Sequence, residues 1–259
     1  MLSKNVVPLP PNGERLAGES VDNKDNYSLQ VSNADGYLCR LQATCHFPVA
    51  PETVYAIFVN TDNTGVFRDI KTSGRREVIE EKPQGKGHRR VVEVEQVGES
   101  KILMWHTTFS TEVRVVEDDS DPARLKTEFE LVRSDILTRF HGSWLVTPET
   151  DAKGQVIGCT AILEQEVLPR GVPAFLANVP VLGSALRGVV IRSAQRMIQD
   201  IESILGRVND TTDIHEVLRR AAKKGHAQEA DKQAQSQRKE QQKQEAAEQK
   251  RLGHGGRFL

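Results

Sequence analysis

The stretch Val181–Val208, VLGSALRGVVIRSAQRMIQDIESILGRV, keeps a helical period over its whole length, and it constrains the fold more than any other part of the chain. Leu182, Leu186, Val189, Val190, Met197, Ile201, Ile204, Leu205 and Val208 fall on one stripe. Arg187, Arg192, Gln195, Arg196, Gln199, Asp200, Glu202 and Ser203 fill the opposite side. A helix of this kind needs a large apolar partner. Almost everything between Leu38 and Leu168 reads as strands, so the expected architecture is α+β, with one long helix laid against a large antiparallel sheet.

Period-two alternation between turn signals gives seven strands. The first is YLCRLQATCHF (37–47), with Leu41, Ala43, Cys45 and Phe47 on one side. Pro51 then opens a short helix, PETVYAIFVN, because proline at the first helical position gives up only an amide that would be orphaned anyway. Asp62 or Asn63 is expected to cap a second short helix through Val66 and Phe67. The remaining strands are 71–81, 88–97, 101–117, 125–131, 136–146 and 156–168.

Both ends read differently. Residues 1–36, with Pro8, Pro10, Pro11 and Gly13, predict a flexible arm that buries too little surface to offset its ordering entropy. Residues 37–208 form the expected domain. Residues 209–259 predict a polar Gln/Lys/Glu-rich tail, helical or disordered, in which Ile214, Val217 and Leu218 form one short amphipathic turn. Residues 210–259 carry eleven Lys or Arg against eight Asp or Glu, while the rest carries 24 against 28. The mildly acidic body argues against a specific nucleic-acid surface.

Cys39, Cys45 and Cys159 form no CxxC pair and are odd in number, which supports neither a disulfide framework nor a zinc site. A reducing compartment is expected, the cytoplasm, with an organelle left open. No apolar run is long enough for a membrane span.

A first strand, short helices, further antiparallel strands and a long C-terminal helix make the order of the helix-grip fold. CHFPVAPETVYAIFVN, with its Ala-Pro-Glu-x-Val step, resembles the START-like (SRPBCC) superfamily, in particular its polyketide cyclase and coenzyme-Q-binding START branch. GVFRDI, VVEVEQ and FHGSW resemble a plant and algal subgroup of that branch. The resemblance implies a seven-stranded curved antiparallel sheet wrapped around the long helix, with two short helices between strands one and two. It also implies a ligand cavity between sheet and helix.

The inward registers put Trp105, Phe109, Phe129, Phe140, Trp144 and Leu163 on the wall, with Leu186, Val190 and Met197 facing them from the helix. Phe67, Phe175 and Leu176 fall at the mouth. The aromatic row serves either as core filling or as a cavity wall. Arg90, Gln96, Thr107 and Gln165 are the inward polar residues, while His46, His88, His106 and His141 fall outward or at strand ends. Arg68 and Asp69 are read as an ion pair that fixes their turn. The VPAFLANVP segment either packs over the sheet or serves as a gate in transient membrane contact.

The expected function is non-catalytic binding or transport of a hydrophobic small molecule, a lipid, isoprenoid or quinone, with no metal and no cofactor. A polyketide cyclase or dehydratase would instead need a pocket carboxylate pair or an inward histidine. An adaptor would need a filled pocket and a partner-binding tail.

Overall fold

The computed structural model describes residues 20–23, 26–102, 105–173, 175, 180–209 and 211–254. Nine strands form a single antiparallel sheet. They are β1 (Ser20–Asn23), β2 (Tyr27–Ser32), β3 (Cys39–Phe47), β4 (Ile70–Gln84), β5 (Gly87–Ile102), β6 (Trp105–Asp118), β7 (Leu125–Ser134), β8 (Leu137–Thr150) and β9 (Val156–Pro169). Three helices are described: α1 (Pro51–Phe58), α2 (Pro180–Leu205) and α3 (Ile214–His254). The spatial order β1-β2-β3-β9-β8-β7-β6-β5-β4 brings the last strand beside β3. The other neighbours are sequential hairpins.

Side-chain alternation across this register produces an inner face whose rows run through the whole sheet. One row is Leu41, Gln165, Gly142, Phe129, Val115 and Val92. The next is Ala43, Leu163, Trp144, Thr127, Glu117 and Arg90. Toward β3 and β9 these rows meet α1 and the C-terminal half of α2 in a dense core that includes Leu41, Leu163, Val54, Ile57, Ile198 and Ile201. Toward β4 the sheet is barely covered, and Val78 and Ile79 stay about half exposed.

The structure departs from the expected strand count, nine against seven, because the first 36 residues are not all arm. Tyr27, Leu29 and Val31 alternate with polar residues, and all three are buried against β3. A six-residue signal was diluted by the Pro- and Gly-rich composition before it.

Only one short helix, α1, lies between β3 and β4. The expected second one is replaced by turns. Asp62 Oδ1 accepts from the Thr64 amide, the Asn63 carbonyl accepts from the amides of Val66 and Phe67, and Gly65 sits at φ +73°. Side-chain bonding to the local backbone offers the chain an alternative to a helix.

The buried stripe of α2 is rotated from the expected one. Ala194 and Ile198 lie inside, Val189 is exposed, and Arg187 and Asp200, expected on the water side, are buried. The side chains of Leu182 and Leu186 lie outside the described residues. The segment after α2 does more than one amphipathic turn: Ile214, Val217, Leu218, Ala221, Ala222 and Gly225 are all buried at the start of α3. The folded body therefore runs past residue 208, and the described side chains of α3 between residues 230 and 245 are exposed and almost all polar.

Candidate functional site

Between the inner sheet face and α2 lies a cavity of about 310 Å³, the low end of the range of small-molecule sites, about 300–1,000 Å³. Its wall is contributed by six successive strands: Ile70 at the start of β4, Gln96 on β5, Thr111, Val113 and Val115 on β6, Thr127 and Phe129 on β7, Phe140 and Trp144 on β8, and Gln165 on β9. Ser193, Met197 and Asp200 close it from α2, Phe58 from α1, and Asn63, Phe67 and Asp69 from the connection before β4. Side chains from six strands and a facing helix meet around one space only if the sheet curls about that helix. Register shifts in the β4–β5, β6–β7 and β8–β9 pairings supply that bending.

Two aromatic stacks set the apolar part of the wall. Phe58 stacks on Trp144 with centroids 4.4 Å apart, and Phe129 stacks on Phe140 at 5.0 Å. Phe129 can lie over β8 because its cross-strand partner is Gly142: a Cβ there would stand 2.7 Å from the Phe129 ring and 2.3 Å from the Glu164 carbonyl oxygen.

The connection carrying Phe67 is clamped from two sides. On one, Asp200 accepts hydrogen bonds from the Arg68 amide (3.0 Å) and Nε (2.7 Å), and Asp69 accepts from Arg196 (3.0 Å). The expected Arg68–Asp69 pair is thus replaced by two crossed pairs to α2. On the other side α3 presses directly on the backbone: a Cβ on Gly225 would stand 2.6 Å from the Gly65 amide nitrogen. His226 Nε2 bonds Asp62 at 2.7 Å, and Lys71 faces Glu229 at 3.7 Å. Burial works against the Asp62 carboxylate, but bonds from His226 and Thr64 hold it below the usual carboxylate range.

Because Gly65 and Gly225 meet backbone to backbone, Gly225→Val should lift α3 off the connection. Hydrogen exchange of the 62–71 amides is expected to rise tenfold or more, with β3 and β9 amides unchanged. Unchanged exchange at 62–71 would show that α2 alone holds the segment.

Across the β6–β7 pairing from Thr127, Glu117 is only 2% exposed. It accepts two bonds from Arg76, at 2.8 and 3.0 Å, and faces Arg90 at 3.6 Å. Burial nonetheless pushes the Glu117 carboxyl above its ordinary value, outweighing both guanidinium groups. A carboxyl whose folded-state pKa exceeds its unfolded one binds more protons when folded, so its contribution to stability falls as pH rises through that interval. Wild-type stability minus that of Glu117→Gln should therefore be larger at pH 4.5 than at pH 7, as measured by urea unfolding at both. A difference that grows with pH would mean that the ionised form is the favoured one.

Residues 28–153 match a family model described as "Domain of unknown function DUF220". Among solved structures the chain is similar to human StAR-related lipid transfer protein 5, at 10% identity and TM-score 0.47, covering 73% of this chain and 86% of that one. It is similar to human STARD10 at 11% identity and TM-score 0.44, covering 73% and 74%. It is also similar to a START superfamily protein from Mycobacterium smegmatis, at 14% identity and TM-score 0.36, covering 62% and 97%. No curated protein matches.

Of the residues expected on the wall, Phe129, Phe140, Trp144 and Met197 line the cavity, and Phe67, expected at the mouth, is also part of the lining. Leu163 does not: it is fully buried in the core between Ala43 and Trp144. Phe109 is spent on covering Gly98, and Val190 packs on the core edge. Phe175 is 67% exposed and away from the lining. The side chains of Trp105 and Leu186, and Leu176 altogether, lie outside the described residues.

Among the inward polar residues, Gln96 and Gln165 line the cavity, Arg90 belongs to the Glu117 cluster, and Thr107 falls outside the described side chains. His46 and His141 lie outside on the sheet, facing Glu149 and Glu166. Phe58, Asp69, Thr127 and Asp200 were missed as wall residues. The strand alternation alone would have found Thr127. Asp200, by contrast, carries no apolar signal.

Proposed function

We propose that this chain binds a hydrophobic small molecule of the lipid, isoprenoid or quinone kind in the sheet–helix cavity, without covalent chemistry. The observation that carries the reading is the wall itself. Two aromatic stacks and Val113, Val115 and Met197 offer apolar area, and a few neutral polar groups are set among them. Removal of apolar ligand surface from water, at about 25 cal/mol per Å², supplies the binding energy, and the polar groups orient the ligand.

The cysteine thiols do not favour an enzyme. Burial pushes the thiols of Cys39, Cys45 and Cys159 up to about 11, 12 and 12, which keeps them protonated near neutral pH. The carboxylates of Asp69 and Asp200 do form the pocket pair that a cyclase would want, but each is engaged by an arginine.

Native mass spectrometry of the full chain purified from its own cells, followed by organic extraction, tests the proposal. A stoichiometric apolar adduct is expected, and saturation at 100 times Kd should add about 2.7 kcal/mol of stability. An empty protein that no lipid, isoprenoid or quinone stabilises would overturn it.

A further inference from the structure

The polar groups of the cavity sort by charge. Thr127 is 3% exposed and lines the cavity, and no protein partner reaches its hydroxyl among the described residues. The same holds for the side-chain amides of Gln96 and Gln165. Each can donate to an oxygen, and the amides and the hydroxyl can also accept. Such groups in an otherwise apolar wall call for a hydrogen-bonding partner from the occupant or from water.

Among the described residues the formal charges on the lining are both negative, Asp69 and Asp200. Their arginine partners, Arg68 and Arg196, are absent from the lining, keep 47% and 42% of their side-chain surface in solvent, and are committed to these carboxylates. An anion entering past Phe67 would thus meet two carboxylate oxygens before any unshared cation, with less water to screen it than outside.

Size limits the occupant as well. At about 310 Å³ the cavity stands at the low end of small-molecule sites, which suits a single-chain or ring-bearing molecule better than a two-chain lipid.

Resting on the hydrophobic-ligand reading above, we propose that the occupant is uncharged: a hydrophobic molecule bearing a hydroxyl or carbonyl oxygen held by the Gln165 amide or by the Thr127 hydroxyl elsewhere on the wall, with carboxylate and phosphate lipids rejected by Asp69 and Asp200.

Farnesol and farnesoic acid carry one hydrocarbon with a neutral hydroxyl or a carboxylate, and farnesene carries neither. Calorimetric titration of the full chain at pH 7 is expected to give farnesol at least tenfold tighter than farnesoic acid. Gln165→Leu should weaken farnesol about fivefold while leaving farnesene unchanged, in line with the loss of one hydrogen bond of about 1 kcal/mol. Asp69→Asn, on a half-exposed residue, should narrow the farnesol-to-acid gap by threefold or more. Farnesoic acid binding as tightly as farnesol would overturn the charge selection while leaving the cavity reading intact. Equal loss of farnesol and farnesene in Gln165→Leu would overturn the role given to that amide. Binding of none of the three, together with an empty native spectrum, would overturn both proposals.

Discussion

Gly142→Ala should destabilise the protein by about 3 kcal/mol, the upper end of what overpacking ordinarily costs. Gly142 lies in the interior strand β8, between β7 and β9, where its cross-strand partners are Phe129 and Gln165. An added Cβ would stand 2.3 Å from the Glu164 carbonyl oxygen, 2.8 Å from the Gln165 Cα and 2.7 Å from the Phe129 ring. The first two contacts are backbone and cannot swing away. The third can relax only by driving Phe129 off Phe140 and toward the cavity. Urea unfolding should therefore show a lower midpoint at unchanged slope, together with weaker ligand binding. A loss under 1 kcal/mol would show that the β8–β9 ladder shifts easily, and the packing given to Phe129 would have to be withdrawn.

That glycine also shows which parts of the site the sequence makes legible. FHGSW sits in a clean period-two run, so the inward direction of Phe140, Gly142 and Trp144 follows from alternation alone. The same rule gives Gln96, Phe129 and Gln165. Alternation says which face a side chain takes, and nothing about what it touches once there. Leu163 shares its face with Trp144 yet disappears into the core, because β9 pairs with β3, the strand that packs against α2.

The charged clamp was illegible for a different reason. Arg68 and Asp200 are 132 residues apart, and neither carries a local signal for the other. Read along the helix, Asp200 belongs to the polar side; in the fold it is 9% exposed and ties the mouth of the cavity to α2. Gly65 and Gly225 likewise read as a loop glycine and a helix-weakening glycine, and their shared meaning, two backbones in contact, exists only in three dimensions. Strands β1 and β2 were lost to averaging, since three alternating apolar residues cannot be heard over the prolines and glycines before them.

Trp144→Ala tests whether the wall is built as a packed surface. Trp144 is 6% exposed, stacks on Phe58 at 4.4 Å and 19°, and stands beside Leu163 and Thr127 across the strands. Removing the indole forfeits its burial and leaves space next to an existing cavity, which α1 cannot collapse into while Val54 and Ile57 hold it in the core. The expected cost is about 3–5 kcal/mol in urea unfolding. Trp144→Phe keeps a ring over Phe58 and should cost roughly 1 kcal/mol, leaving a folded protein on which ligand binding can be measured. A double-mutant cycle with Phe58→Leu isolates the stack, with a coupling of about 0.5–1.5 kcal/mol expected. Zero coupling with a large single-mutant loss would mean that burial alone holds Trp144, and that its ring is free to turn and pair with an occupant. A coupling in the expected range fixes the ring against α1, so that ligands meet a preformed wall, whose binding cost in side-chain ordering is correspondingly small.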